Sequence, residues 1–291
     1  MDRNVWKQVS RAVRSAERRI ARRGRRPSYS DRLIVLMYFW SVWRDRPLCW
    51  ACEREHYHAL FRPKRLPSIS QFCRRVKGGR VEAMIRLVNE RLARDPAAPT
   101  LAFIDGKALP VSETSRDPDA RTGRGNGKFS RGYKLHALAS EHGRITAFRV
   151  HPMNAAEPRV TREELVAHVP RGVVVLADGN YDSRFLYDAI AERGSWLFTP
   201  QKKNARSEAA LRNTAPARRE AIEYWRDHPR LARRVYGLRG RIERIFSALT
   251  TFGGGLGPLP TWVRRRERVE RWITAKLAIY HARLLAREAA A

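Results

Sequence analysis

The sequence predicts an α/β protein in two parts: a helical region over residues 1–98, and a strand-and-helix region over 99–291 that ends in a basic helix. Three observations predict it. Apolar residues recur at helical spacing through the first third, the Pro/Ala-rich run 95–100 breaks that pattern, and short apolar runs alternate with helical stretches beyond it. A hydrophobic fraction of 43% supplies a core and excludes wholesale disorder. No apolar run approaches the roughly 18–20 residues of a membrane span. The charged first twenty residues do not read as a signal peptide, so a cytoplasmic location is expected. Three cysteines imply no disulfide framework.

Residues 1–26 read as a basic helix or arm. Val5, Val9, Val13 and Ile20 form its apolar stripe, and Arg11, Arg14, Arg18, Arg19, Arg22, Arg23, Arg25 and Arg26 form its polar side. After Pro27, Ser30 caps an almost wholly apolar helix, 31–45, which is expected to be buried. Pro47 opens a segment containing Cys49 and Cys52. Ser68 or Ser70 caps a short helix carrying Arg74 and Arg75, and an amphipathic helix follows over 80–95. Short helices and tight turns of this kind are compatible with a helix-turn-helix-like arrangement or with plain helical packing.

The second part opens with Leu101–Ile104, an apolar run meeting Asp105-Gly106. Segments 132–140 and 144–152 alternate around His142-Gly143 and predict a hairpin. Residues 172–177 form a second apolar run meeting Asp178-Gly179. A helix over 183–194 stops at Gly194, a strand follows over 195–200, and 203–229 reads as polar and helical. Residues 230–252 predict one long helix despite Gly237 and Gly240. Beyond the Gly253–Gly255 loop, an amphipathic basic helix is expected over about 261–288.

Fifty-nine Lys and Arg against 29 Asp and Glu leave a formal charge of +30. Self-repulsion of that size fits a chain whose usual partner is a polyanion. Only nine of the cations are Lys, and Arg grips phosphate with a two-pronged fork. Nucleic acid is the expected partner. Arg-rich codon usage accounts for Arg over Lys but not for the scarcity of acids.

Asp105 and Asp178 are the chief candidates for chemistry. A carboxylate directly after a buried run falls at the rim of a sheet, where α/β sheets keep their sites. Two neighbouring carboxylates repel each other, and a hard divalent cation such as Mg²⁺ relieves the repulsion. Tyr236, Arg239 and Glu243 are spaced three and four apart and share one face of the expected helix. Taken alone, Glu243 among arginines reads as a surface ion-pair partner. The basic segment 123–128, with Lys134, reads as a phosphate-contacting loop. Cys49, Cys52, His56, His58 and Cys73 could hold zinc, but buried structural cysteines are the better reading. Tyr181 and Trp196 suit either a core or a base-stacking role, and His136 and His151 suit a core or surface role.

The combination resembles the DDE-type insertion-sequence transposases of bacteria: a strand carrying Asp105, a hairpin, a second strand meeting Asp178, then Tyr236-x2-Arg239-x3-Glu243. More narrowly, it resembles the branch with the signature Tyr-x2-Arg-x3-Glu-x6-Lys. The resemblance spans about residues 100–285. It implies a ribonuclease-H-like catalytic domain behind a helical DNA-binding and dimerisation region. Asp105, Asp178 and Glu243 would be catalytic and would bind two Mg²⁺ ions, with Mn²⁺ an acceptable substitute. Tyr236 and Arg239 would hold the transposon end. The signature Lys position is Thr250 here, so Arg244 or Lys276 would take that contact, or it is lost. The implied partners are double-stranded DNA, both transposon ends and target, and a second copy of the chain. The implied location is the bacterial cytoplasm, on the nucleoid when DNA is bound. Two alternatives stand beside this: an inactive or domesticated transposase that only binds DNA, and a tyrosine recombinase built around Tyr280 and His281.

Overall fold

The structure is a computed structural model, and it describes residues 2–20, 27–125, 127–201, 214–251 and 255–290. Arg22, Arg23, Arg25, Arg26, Asn126, the stretch 203–213 and Gly253–Gly254 lie outside the described residues. The chain forms two compact units, Met1–Arg94 with Leu249–Ala291, and Asp95–Ala248. None of the described helices is long and apolar enough to cross a membrane.

The first unit is helical. Helix α1 (Arg3–Arg19) starts where the Asp2 side chain accepts from the Asn4 amide. Its stripe of Val5, Trp6, Val9, Ala12, Val13 and Ala16 is buried, so the apolar spacing read from the sequence serves packing. Ser30 caps α2 (Asp31–Trp43) as expected, and ten of its thirteen residues are buried. Ser68 caps α3 (Ile69–Val76) in a reciprocal capping box with Gln71, and α4 (Gly79–Leu92) follows after Lys77 and Gly78. Arg75 does not present a free cation. Its guanidinium, together with that of Arg80, is bound to the buried Asp31 carboxylate at the start of α2.

In the second unit, β1 (Leu101–Pro110), β2 (Arg121–Gly125), β3 (Lys128–Ser140), β4 (Ile145–Pro152), β5 (Val174–Leu176) and β6 (Trp196–Phe198) make one six-stranded sheet. β3 is long enough to pair with β2 and then β4 along one edge, and with β1 along the other. β1, β5 and β6 are parallel. The hairpin at His142-Gly143 forms as expected, with Gly143 at φ 79°. The expected loop at 123–128 is instead the tip of a second hairpin, β2–β3: Gly125 pairs with Lys128, and Gly127, at φ 79°, turns the chain.

Ala102, Ile104, Val175, Ala177 and Leu197 point to one face of the sheet. There they pack on Leu186, Tyr187 and Ile190 of α6 (Arg184–Glu192). Phe103, Leu176 and Phe198 point to the other face. The helical turn α5 (Glu157–Val160) comes shortly after β4. Three helices follow toward the end of the unit's sequence: α7 (Pro216–Asp227), α8 (Pro229–Gly237) and α9 (Gly240–Thr251), the last of which runs past the unit's end at Ala248.

The last helix, α10 (Arg266–Glu288), belongs to the first unit, whereas the sequence suggested that it continues the second. It is buried rather than amphipathic, packing against α1, α2 and α4. Its apolar and small residues between Val269 and Ala282 leave little of it for solvent.

Candidate active site

Strand register brings the two aspartates together. The last β1–β5 pair is Phe103 with Leu176. Asp105 and Asp178 each stand two residues beyond it, and a two-residue step keeps a side chain on the same face. Both carboxylates therefore fall where the parallel strands part. The expectation that both end their strands holds for Asp178 alone. β5 stops after three residues, but β1 runs on to Pro110 because its other edge stays paired with β3, with Asp105 opposite Ala137.

Each carboxylate is anchored by backbone. Asp105 Oδ1 accepts from the Gly106 amide at 2.8 Å, and Asp178 Oδ1 accepts from the Asn180 amide at 2.8 Å, capping the turn Gly179–Tyr181. Burial pushes the Asp105 carboxyl up to about 6; Arg239 and the Gly106 amide oppose this, and the charges of Asp178 and Glu157 add to it. Burial also raises Asp178, with Glu157 adding and the Asn180 amide and Arg239 opposing. These are hard oxygen donors whose ionised form is under-compensated. That donor set fits a divalent cation of the Mg²⁺ type.

Arg239 sits across Asp105 and Glu243. One terminal nitrogen donates to Asp105 Oδ2 at 3.1 Å and the other to Glu243 Oε1 at 2.8 Å, while its Nε is buried without a hydrogen-bond partner. Glu243 is 65% exposed and Asp105 14%, so the guanidinium joins an outer acid to an inner one. Among the described residues, the set of three acid or imidazole ligand atoms within 4.8 Å of one another is Glu53, Glu55 and His56, in the first unit. Asp105, Asp178 and Glu243 do not close that tightly.

The single helix expected over 230–252 is two helices. α8 ends at Gly237 and α9 begins at Gly240. Two glycines three residues apart weaken a helix by about 1 kcal/mol each. Four amides, those of Leu238, Arg239, Arg241 and Ile242, bond three residues back and tighten the chain between the helices. Tyr236, Arg239 and Glu243 therefore do not share one helix face. Arg239 lies in the connecting turn, from which it reaches Asp105.

Aromatic rings set the position of Tyr236. Phe198 stacks on Trp225 of α7 at 5.0 Å with an interplanar angle of 6°, and Trp225 meets Tyr236 edge-on at 5.9 Å. Trp196 packs on Tyr224 and Phe198, which gives it a core role. Farther along β1, Lys107 Nζ lies 5.9 Å from the Phe246 ring centroid and ties α9 to the strand.

The remaining candidates divide. Lys134 is buried with its ammonium 2.6 Å from Glu157 Oε1. Arg244 is exposed on α9. Lys276 is buried in the first unit, 2.6 Å from Asp45 Oδ1 and over the Trp272 ring, so packing and an ion pair account for it. The cysteines make no zinc set among the described residues. Cys49 is exposed, contrary to a buried reading, burial raises the Cys52 thiol to about 11, and His56 stacks on Trp50. His136 is a fully buried core residue.

Glu157 escaped the sequence reading. The signal was present, since Glu157 comes within five residues of the end of β4 and stands beside Pro158 at a helix start. Without an apolar run directly before it, it looked like a loop acid.

Comparison with curated proteins and with solved structures finds no match. The family described as "Transposase DDE domain" matches residues 96–281, which is more than half of the chain and includes Asp105, Asp178, Arg239 and Glu243. On that match, the chain belongs to the DDE transposase family.

Proposed function

We propose that the chain cuts DNA at the ends of its own insertion sequence and joins the freed 3′-ends to target DNA. The observation that carries the reading is the placement of Asp105 and Asp178 at matching positions where two parallel strands part, with Arg239 bonded to Asp105. A sheet of antiparallel strands continued by parallel ones supports a ribonuclease-H-like catalytic unit. Tyr236, Arg239 and Glu243 support the branch named for that signature.

In this reading Asp105 and Asp178 hold divalent cations, and Glu243 completes the set when Arg239 releases it. When bound, Mg²⁺ supplies Lewis-acid stabilisation of the oxygens that attack and leave phosphorus. In cleavage, a water oxygen bonds to phosphorus, the P–O3′ bond breaks, and the 3′-oxygen leaves with a proton. In joining, the oxygen of that 3′-hydroxyl bonds to a target phosphorus, the target P–O3′ bond breaks, and the target 3′-oxygen leaves with a proton as the attacking hydroxyl gives one up. Arg239 is the phosphate clamp, because it carries a buried unpartnered Nε and a guanidinium whose present partners are replaceable by phosphate oxygens. Tyr236, held by Trp225, donates its hydroxyl to the DNA backbone. Two copies act together, one at each end of the element.

The test is strand cleavage of end DNA in Mg²⁺ by Asp105→Asn, Asp178→Asn and Glu243→Gln. Each substitution keeps size and removes a ligand charge. Loss of cleavage with end binding retained is expected for all three. Full activity in Glu243→Gln removes that residue from the mechanism. Tight end binding with no cleavage by the unaltered chain would favour the DNA-binding-only alternative, for which Thr250 at the signature Lys position is the observation.

A further inference from the structure

Between Asp119 and Glu141 the chain carries Arg121, Arg124, Lys128, Arg131 and Lys134 and no acid. Three of these cations have partners inside the protein. Arg131 donates to the carbonyls of Ser115, Asp117 and Ala120, Arg121 donates to the carbonyl of Pro118, and Lys134 sits on Glu157. The Arg131 bonds, with the Tyr133 hydroxyl donating to the buried Asp117 carboxylate at 2.8 Å, root the β2–β3 hairpin. Arg124 and Lys128 are exposed near its tip. Neither side chain has an ion-pair or hydrogen-bond partner among the described residues.

The hairpin has an inner and an outer face. Gly123 and Gly125 make the inner one. A Cβ on Gly125 would stand 2.6 Å from Ala108 Cβ, and one on Gly123 would run into the Met153 carbonyl. Only glycine lets the ribbon lie this close to β1 and the end of β4. Alternation turns Arg124 outward, and its cross-strand partner on that face is Phe129. Phe129 is 76% exposed, and among the described residues its ring meets no other ring or cation.

A rooted ribbon that shows an aromatic ring beside two unpaired cations suits a polyanion bearing flat rings. That is the chemistry of nucleic acid, in which cations track the backbone and an aromatic side chain meets a base. A second copy of the chain would bring the same excess of positive charge to the contact, whereas DNA brings the opposite sign. We propose that the β2–β3 hairpin is a DNA-contacting ribbon, with Arg124 and Lys128 on backbone phosphates and Phe129 against a base. Ala108, under the hairpin, is three residues past Asp105 and on the opposite face of β1, about 10 Å along the strand. The ribbon therefore flanks the reacting phosphate rather than touching it. The inference rests on DNA being the substrate and is independent of the cation set.

Fluorescence anisotropy of labelled end DNA over a range of salt, with no divalent cation added, tests this. Phe129→Ala should weaken binding by roughly five- to a hundredfold. Its log–log salt slope should match that of the unaltered chain, because a ring releases no counterion. Arg124→Gln and Lys128→Gln should each make the slope shallower by about 0.9. Phe129→Tyr, which keeps the ring, should bind as the unaltered chain does. Thermal unfolding of each variant reports folding, and if Phe129→Ala fails to fold, the two cation variants decide. Unaltered affinity in Phe129→Ala would take the ring off the DNA, and unaltered slopes in both cation variants would overturn the phosphate contacts. Sedimentation of the DNA-free chain separates the other occupant: a dimer that Phe129→Ala converts to monomer would assign the ring to self-association and overturn the proposal. Failure of the unaltered chain to bind end DNA would bring down the DNA reading and this inference with it.

Discussion

Arg239 holds the place between an inner and an outer acid, and its chemistry separates two kinds of binding. Dozens of other cations draw DNA to the chain, so Arg239→Ala should leave initial binding close to normal. A charged hydrogen bond to phosphate is worth roughly 1.5–3 kcal/mol, so cleavage of pre-bound end DNA should fall by about ten- to a hundredfold. Arg239→Lys keeps the charge, loses the fork and should recover only part. Cleavage at the unaltered rate in Arg239→Ala would take the turn at 238–239 off the DNA. The nearness of Arg239 to Glu243 was legible in their four-residue spacing. Its bond to Asp105 spans 134 positions and was not, because no local pattern encodes which strand a turn will face.

Two elements carry predictions of their own. Gly237 and Gly240 have open space where a Cβ would go, and neither needs a positive φ. Gly237→Ala with Gly240→Ala should raise stability by about 0.4–1 kcal/mol per site by restricting the unfolded chain. It should also favour one straight helix, drawing Arg239 off Asp105. A higher melting temperature with reduced cleavage is the expected outcome, and equal cleavage would show that the break is incidental. On β3, burial pushes the His136 imidazole down to about 3 from 6.5, and neither ring nitrogen has a hydrogen-bond partner. The unfolded chain takes up this proton near pH 6.5 and the folded one does not until about pH 3. The stability that depends on keeping His136 neutral is therefore full above pH 6.5. It falls as pH drops through the window, by up to about 1.4 kcal/mol per pH unit. Denaturant unfolding of His136→Leu should lack that slope, and a slope equal to that of the unaltered chain would exclude His136 as its source. Capping residues and alternation made α2, α3 and the His142-Gly143 hairpin readable, because those signals are local. The continuation of β1 past Asp105, the β2–β3 hairpin and the break at 238–239 depend on partners elsewhere in the chain, and local pattern missed them.

For the whole molecule, the net charge of +30 predicts strongly salt-dependent DNA binding, with each neutralised phosphate contributing about −0.9 to the log–log slope. A flat dependence measured by fluorescence anisotropy would assign the charge to codon usage. Lys276, Arg75 and Arg80 must be left out of any count of phosphate contacts, since Asp45 and Asp31 hold them. The first unit is also discontinuous: its early helices lie before residue 95 and its buried α10 after residue 249. Order of synthesis then becomes part of its folding. At about 5–20 residues per second, the ribosome needs about 10–40 s to travel from Leu92 to the end of α10. Through that interval the apolar sides of α1, α2 and α4 lack their partner, while the unit carrying Asp105, Asp178 and Glu243 emerges complete. A nascent chain stalled before residue 266 would thus carry the whole acid set beside an unfinished neighbour, a species suited to capture by chaperones rather than to work on DNA.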